Sequence, residues 1–294
     1  MKIKILIDYH NSLFYIDKLL QLVPNIDLVD NLGSCDLVYS PKWTSDSKRF
    51  QYVYTLLPEL KDYMRKDTFI DLLSDKPYIP SIGEGRVFVK DPLVDGSKGI
   101  RIMKTDSEEF KILVENKRLG KIDYQNLVFS PEIKTPLTEE GHKYDWRVWI
   151  IIKLHRYGED SDNNENEIDM EFYVLSNMMQ RIAREPYPDD DTLDFNALVT
   201  NVSNTGIPCI YDMKDTKFYN QCHEITGNLL GGIRWDIDNI HSGTTKFMLT
   251  GWDFIEDVLD HENPVKLLEI NIPGMSSTHK QMLQECFNWI RDNK

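Results

Sequence analysis

At the start of the chain, MKIKILID, Ile3, Ile5 and Ile7 fall on one side and Lys2, Lys4 and Leu6 on the other, a period of two that predicts a strand. The spacing changes in YHNSLFYIDKLLQLV, where Leu13, Ile16, Leu19, Leu20 and Val23 recur every three or four residues as on one face of a helix. CDLVYS returns to a strand pattern, so the first ~70 residues read as a small βαβ unit. LPELKDYMRKDTFIDLLSDKP, Leu57 to Pro77, predicts a helix that Pro77 ends. From Val87 the rhythm is that of strands: VFVK, GIRIMK, NLVFSPEI, YDWRVWIIIKLHRY and IDMEFYVLSN. Between the last two lies GEDSDNNENE, residues 158–167, which has nothing apolar to bury and predicts a hairpin loop. Helical stretches from Phe218 to Ile233 and from His279 to Asp292 flank a last strand, KLLEIN. The expected class is α+β: a small N-terminal α/β region over 1–75 and a larger, antiparallel-rich part over 76–294.

Composition narrows the function classes. With 294 residues, 41% of them hydrophobic, the chain can bury a large core. A formal charge of −14 argues against general nucleic-acid binding, which relies on clustered Lys and Arg, and any anionic ligand must meet a local basic cleft. Asp8 interrupts the first apolar run and no later segment approaches the roughly 18 apolar residues of a membrane span, so no signal peptide, no membrane partner and a cytoplasmic location are expected. Cys35, Cys209, Cys222 and Cys286 are scattered like reduced thiols, and the seven histidines show no metal-ligand spacing. A monomer is expected.

Three stretches carry chemistry. In YDWRVWII the period of two puts Asp145, Arg147 and Trp149 on one face and Trp146, Val148 and Ile150 on the other; a charged pair on so apolar a strand either forms a salt bridge or lines a cleft. In KLLEINIPGM, Glu269 and Asn271 project from one face, and Asp253 in TGWDFIED is a third oxygen donor of the kind that holds Mg²⁺ when phosphates complete its shell. In VFVKDPLVDGSKGIRIMK, Lys90 closes a strand before a turn whose Gly96 and Gly99 let backbone N–H groups approach phosphate oxygens. Taken singly, DGSKG is a plain hairpin turn, and it is not a Walker A loop.

Together these residues resemble the ATP-grasp superfamily and, within it, the tubulin-tyrosine-ligase-like amino-acid ligases. From about Gln51 the likeness runs in order through QYVYTLLPELKDYMRKDTFIDLL, VFVKDPLVDGSKGI, HKYDWRVWIII, RIAREPY, VTNVSN, and the closing GWDFIED and LLEINIPG. The resemblance implies an ATP-grasp fold with a small N-terminal α/β cap. ATP would be held by Lys66, Lys90, Gly96, Gly99, Lys143, Asp145 and Thr200, with adenine against the backbone at Glu132 and Ile133. Arg147, Arg181, Asn201 and Glu269 would serve catalysis, and Asp253, Glu269 and Asn271 would hold Mg²⁺. The implied activity joins an amino acid (glutamate, glycine or tyrosine) to a protein or peptide carboxylate through an acyl phosphate. The alternative is an ATP-grasp kinase of a small polyol or inositol phosphate. Two departures stand out: SPEIKTPL lacks the family's Gln-Lys-Tyr before Pro-Leu, and Leu198 stands where His is common. A charge of −14 disfavours an acidic tubulin tail as acceptor, although salt screens that repulsion beyond about 8 Å.

Overall fold

The computed structural model describes residues 3–7, 26–29, 35–39, 51–92, 99–157, 168–188, 190, 192–200, 209–236, 240–271 and 280–293. The helix expected around Leu13 to Val23, the polar tract 158–167, Gly96 and Asn201 lie outside these residues. In chain order the elements are β1 (Ile3–Ile7), β2 (Ile26–Leu28), β3 (Leu37–Tyr39), β4 (Tyr52–Tyr54), α1 (Lys66–Leu73), β5 (Arg86–Lys90), β6 (Ile100–Lys104), α2 (Glu108–Arg118) and β7 (Val128–Pro131). They continue with β8 (Tyr144–Arg156), β9 (Ile168–Val174), β10 (Asn177–Ile182), the single turn α3 (Phe195–Leu198), β11 (Cys209–Asp212), α4 (Lys217–Gly231), β12 (Thr245–Glu256), β13 (Val265–Asn271) and α5 (Lys280–Asp292). The class is α+β, as expected. No helix among the described residues is long and apolar enough to cross a membrane.

Ten of these strands form one mixed sheet in the order β11-β10-β8-β12-β4-β3-β1-β2, with β9 and β13 as additional partners of β8 and β12. β8 and β12 run antiparallel from His155↔Thr245 to Trp146↔Phe254 and form its spine. β1 and β3 are parallel neighbours, as a βαβ unit requires, and β4 joins this parallel group to β12. The second sheet is a short antiparallel one, β6-β5-β7, in which Lys90 pairs with Ile100 across the expected hairpin.

Period two sorts the side chains of β8. Trp146, Val148, Ile150, Ile152 and Leu154 join the core under α4, whereas Trp149 and Ile151 join a second core with Leu283, Phe287 and Ile290 of α5. The large sheet is therefore apolar on both faces, which explains why VWIII, Val148 to Ile152, is a continuous hydrophobic run. The α5 face loses its apolar character toward one end of the strands. Along β8 it runs Ile151, Trp149, Arg147, Asp145; along β12 it runs Phe247, Leu249, Gly251, Asp253; and along β10 it passes from Met179 to Arg181. The charged end of this face meets the small sheet.

The sequence pattern did not give the helix Glu108–Arg118 or the strands Asn177–Ile182 and Cys209–Asp212. The helix expected over Leu57 to Pro77 is broken: Pro58–Leu60 form a 3₁₀ turn, Arg65 is extended at φ −87° and ψ 120°, and α1 begins at Lys66. The Thr68 hydroxyl donates to the Asp62 carbonyl at 2.5 Å, and the Arg65 guanidinium pairs with Asp67 at 2.7 Å. Such local side-chain bonds compete with a continuous helix and place Lys66 on a first turn. β10 escapes the alternation because Met178 and Met179, adjacent in sequence, are buried on opposite faces.

Candidate active site

Between the charged end of the large sheet and the small sheet lies a cavity with about 770 Å³ of empty space, its open mouth included. The small sheet supplies Phe88 and Lys90 from β5, Ile100 from β6, and Ser130 with the following Pro131 and Ile133 from β7 and its exit. The large sheet supplies Asp145, Arg181, Asp253, Ile255, Leu268 and Glu269; Lys66 reaches in from α1, and Leu198, Val199 and Thr200 follow α3. The wall is thus apolar at several points with charges converging on one region, as ligand sites of this size generally are. A β-bulge in the β12–β13 ladder, where Asp253 pairs with Glu269 but Phe254 pairs with Leu267, lets the consecutive Leu268 and Glu269 both line it.

The carboxylates of the large sheet are held by arginines. Arg181 Nε and Nη2 donate to the two oxygens of Asp145 at 2.6 and 2.7 Å, and the Thr200 hydroxyl donates to Asp145 Oδ2 at 2.5 Å. Arg147 grips Asp253 in the same two-pronged way at 2.6 and 2.8 Å, and Arg181 Nη2 lies 3.0 Å from Asp253 Oδ2. Gly251 makes room for this grip, since a Cβ there would come within 3.3 Å of Arg147 Cδ. Burial works to raise the Asp253 carboxyl, but Arg147 and Arg181 outweigh it and hold it well below the usual carboxylate range. By linkage, this stabilisation is present above about pH 4 and is lost as pH falls toward the folded value.

Glu269 is set differently. Burial and the neighbouring Asp253 raise its carboxyl above the usual range, while Lys90 and Lys66 oppose them. Asn271 Nδ2 donates to Glu269 Oε1 at 3.0 Å and to Asp253 Oδ2 at 3.3 Å, so the three side chains that the sequence offers as magnesium ligands converge. Two like charges drawn together beside a cavity are a donor set that a hard cation suits. The Asn271 amide nitrogen faces the carboxylates, and a half-turn of the amide presents its oxygen instead. Among the described residues no group of three or more His, Cys, Asp or Glu is placed to hold a metal. A cation here would complete its shell with oxygens of its co-ligand and water, as Mg²⁺ commonly does.

The cavity also carries an excess of positive charge in a protein of net charge −14: Lys66, Lys90, Lys143 and Arg181 against Asp145, Asp253 and Glu269. Lys66 Nζ is 3.9 Å from Glu269. Lys143 donates to the Ile133 carbonyl at 3.2 Å and lies 3.7 Å from Glu132. For Lys90, no carboxylate among the described residues lies within ion-pairing distance in the structure, and burial lowers its ammonium below the ordinary lysine range, with Glu269 opposing. A lysine without a close partner at the wall of a cavity is poised to bind an anion.

Of the residues the sequence offers for ATP, Lys66, Lys90, Ile133, Lys143, Asp145 and Thr200 line this one cavity, together with Arg181, Asp253 and Glu269. Arg147 and Asn271 stand just behind, bonded to Asp253. Gly99 closes the β5–β6 hairpin by accepting the Asp91 N–H at 2.9 Å. Glu132 turns its side chain toward Arg86, at 3.1 Å, so of the two residues expected at the adenine Ile133 lines the cavity and Glu132 does not. Sequence reasoning passed over Phe88, Ser130 and Arg86. The signal was present in RVFVK, whose period of two puts Arg86, Phe88 and Lys90 on one face and Val87 and Val89 on the other, under α2. Comparison with models of protein families finds no match, and comparison with curated proteins finds none.

Proposed function

We propose that this cavity binds Mg-ATP and that the protein is an ATP-grasp enzyme, an ATP-dependent carboxylate-amine ligase of the tubulin-tyrosine-ligase-like kind that joins an amino acid to a protein or peptide carboxylate. The observation that carries this reading is the convergence, between two sheets, of Lys90, which has no ion-pair partner among the described residues, with Lys66 and Lys143 and with the Asp253, Glu269 and Asn271 cluster. Phe88, Ile133, Leu198 and Leu268 offer apolar walls to a nucleobase, while the lysines meet phosphates as point charges. Mg-ATP supplies a phosphoryl group that activates the acceptor carboxylate for attack by the amine. The side chains bind, neutralise and orient, which is where catalysis of phosphoryl transfer chiefly lies.

Arg147 and Arg181 are held rigid by Asp253 and Asp145, so their remaining N–H groups are fixed in direction. Replacing either by lysine keeps the charge and loses the planar fork. Turnover of Arg147→Lys should fall by roughly tenfold or more, the equivalent of one charge-assisted contact worth about 1.4 kcal/mol, with Mg-ATP affinity changed less; steady-state kinetics reads both.

The reaction class is tested by hydroxylamine. With Mg-ATP and a carboxylate acceptor, a ligase gives a hydroxamate in place of the amide, and steady ADP release needs both acceptor and amine. Stoichiometric phosphorylation of an inositol phosphate or polyol, with no hydroxamate from any carboxylate-bearing protein, would replace the ligase by the kinase.

A further inference from the structure

Behind the cavity wall a buried chain of charges links the two sheets. Arg86 of β5 donates through Nη1 to both oxygens of Glu132, at 3.1 and 3.3 Å. The Tyr187 hydroxyl donates to Glu132 Oε1 at 3.0 Å and accepts from Arg86 at 2.9 Å and from Lys134 at 2.7 Å. The cationic groups of Arg86 and Lys134 lie 5.6 and 5.1 Å from the centre of the Tyr187 ring, and Arg86 Nη2 also donates to the Asp190 carbonyl. At the cavity end, Glu132 lies 3.7 Å from Lys143 Nζ, whose other near groups are the Ile133 carbonyl and the Phe88 ring, 5.6 Å from its centre. Glu132 and Lys143 side chains are each about 95% or more withdrawn from water, at 5% and 4% exposure.

We propose that Glu132 is a positioning residue: fixed from behind by Arg86 and Tyr187, it holds the Lys143 side chain as a cation at the cavity wall, ready for an anionic or electron-rich part of the ligand. Several geometric facts point this way. A carboxylate this deeply buried needs partners, and Glu132 has three, two of which anchor it to other segments, so its position does not depend on Lys143. Lys143 does depend on Glu132, because among the described residues the other acceptor within reach is a neutral carbonyl. The groups that act on Lys143 are Glu132 and Asp145, which favour its charge, and Arg86 and Lys134, which oppose it. Asp145 is itself committed to Arg181 and Thr200. Burial lowers the Lys143 ammonium to about 8, within reach of ordinary buffers. A lysine lowered in this way is charged below that value, so an anion binding at its side is favoured below about pH 8 and loses that attraction as pH rises.

The structure also sets opposite signs for two substitutions. Glu132→Gln removes the attraction and should move the Lys143 titration to lower pH. Arg86→Gln removes a like charge and leaves Glu132 anchored by Tyr187, and should move it to higher pH. A merely structural role would disturb both variants alike.

The test is the pH dependence of Lys143 acylation by a small amine-reactive reagent, read by peptide mass spectrometry on the ligand-free full chain between pH 6 and 10. Wild type should show half-reactivity near pH 8, with the Glu132→Gln profile at least half a pH unit lower and the Arg86→Gln profile higher. A fall of one unit amounts to a tenfold change in the charged-to-neutral ratio. Should Glu132→Gln fail to fold, the upward movement in Arg86→Gln decides. Coincident profiles, or movement of both variants in the same direction, would overturn the proposal. A second arm rests on the nucleotide proposal: ATP affinity of Glu132→Gln should drop more at pH 8 than at pH 6.5. Wild type that fails to bind ATP at any pH would remove the nucleotide proposal and leave the acylation result to stand on its own.

Discussion

Asp145→Ala should lower the melting temperature of the ligand-free protein by roughly 10 °C. Asp145 is 3% exposed, and its carboxylate accepts both prongs of Arg181 together with the Thr200 hydroxyl. Its removal leaves Arg181, itself 5% exposed, with Asp253 as its one ion-pair partner among the described residues, and Asp253 is already gripped by Arg147. Breaking a buried pair from one side costs about 3–5 kcal/mol because the surviving charge stays buried, and each kcal/mol is worth about 2–4 °C in larger domains. The same logic gives the control. Arg181→Met combined with Asp145→Ala removes both charges and should recover part of the loss, and Asp145→Asn, which keeps an acceptor for Thr200, should cost less. Calorimetric unfolding reads all three. A single-variant loss below about 1 kcal/mol would mean that the pair is not buried as described.

Lys90→Met should separate binding from stability. The ammonium has no carboxylate within ion-pairing distance among the described residues, and burial depresses it, so the folded protein is held back by that charge wherever it is protonated. Replacing it by an apolar side chain of similar length should leave the ligand-free melting temperature equal to wild type or higher. Mg-ATP affinity should move the other way. A charge-assisted contact to phosphate is worth about 1.5–3 kcal/mol, so isothermal titration should show affinity lower by roughly ten- to hundredfold. Opposite signs in one variant mark a residue kept for a ligand. Unchanged affinity would remove Lys90 from the phosphate contacts.

The charged end of the large sheet was half legible in the sequence. The period of two in YDWRVWII places Asp145 and Arg147 on one face, and Glu269 and Asn271 share a face in KLLEIN, because an extended backbone leaves no other choice. Their partners were not legible. Arg181 reaches Asp145 through the register of β10 on β8, Asp253 reaches Arg147 across 106 residues, and no local pattern encodes a register between distant strands. The expected salt bridge between Asp145 and Arg147 is replaced by two others, Asp145 with Arg181 and Arg147 with Asp253, and of the two residues Asp145 lines the cavity. The start of α1 at Lys66 was hidden as well, since the apolar spacing from Leu57 onward suits a helix, whereas the chain makes a 3₁₀ turn at Pro58–Leu60 and extends at Arg65, where Thr68 and Asp67 side-chain bonds form. Glu132 was placed at an adenine hinge by resemblance; its carboxylate faces Arg86 and Tyr187, partners contributed by β5 and by the segment after β10.

The most direct measurement of the central claim is the melting temperature of the wild-type protein with and without millimolar Mg-ATP, with Mg²⁺ alone and ATP alone as controls. A ligand that binds only the folded state stabilises it by about 2.7 kcal/mol at a hundredfold excess over its Kd, and Mg-ATP should therefore raise the transition by several degrees. The rise should be largely absent in Lys90→Met and in Glu269→Gln, whose ligand-free forms remain folded. A wild-type transition that does not move at millimolar Mg-ATP would contradict the assignment of this cavity as a nucleotide site.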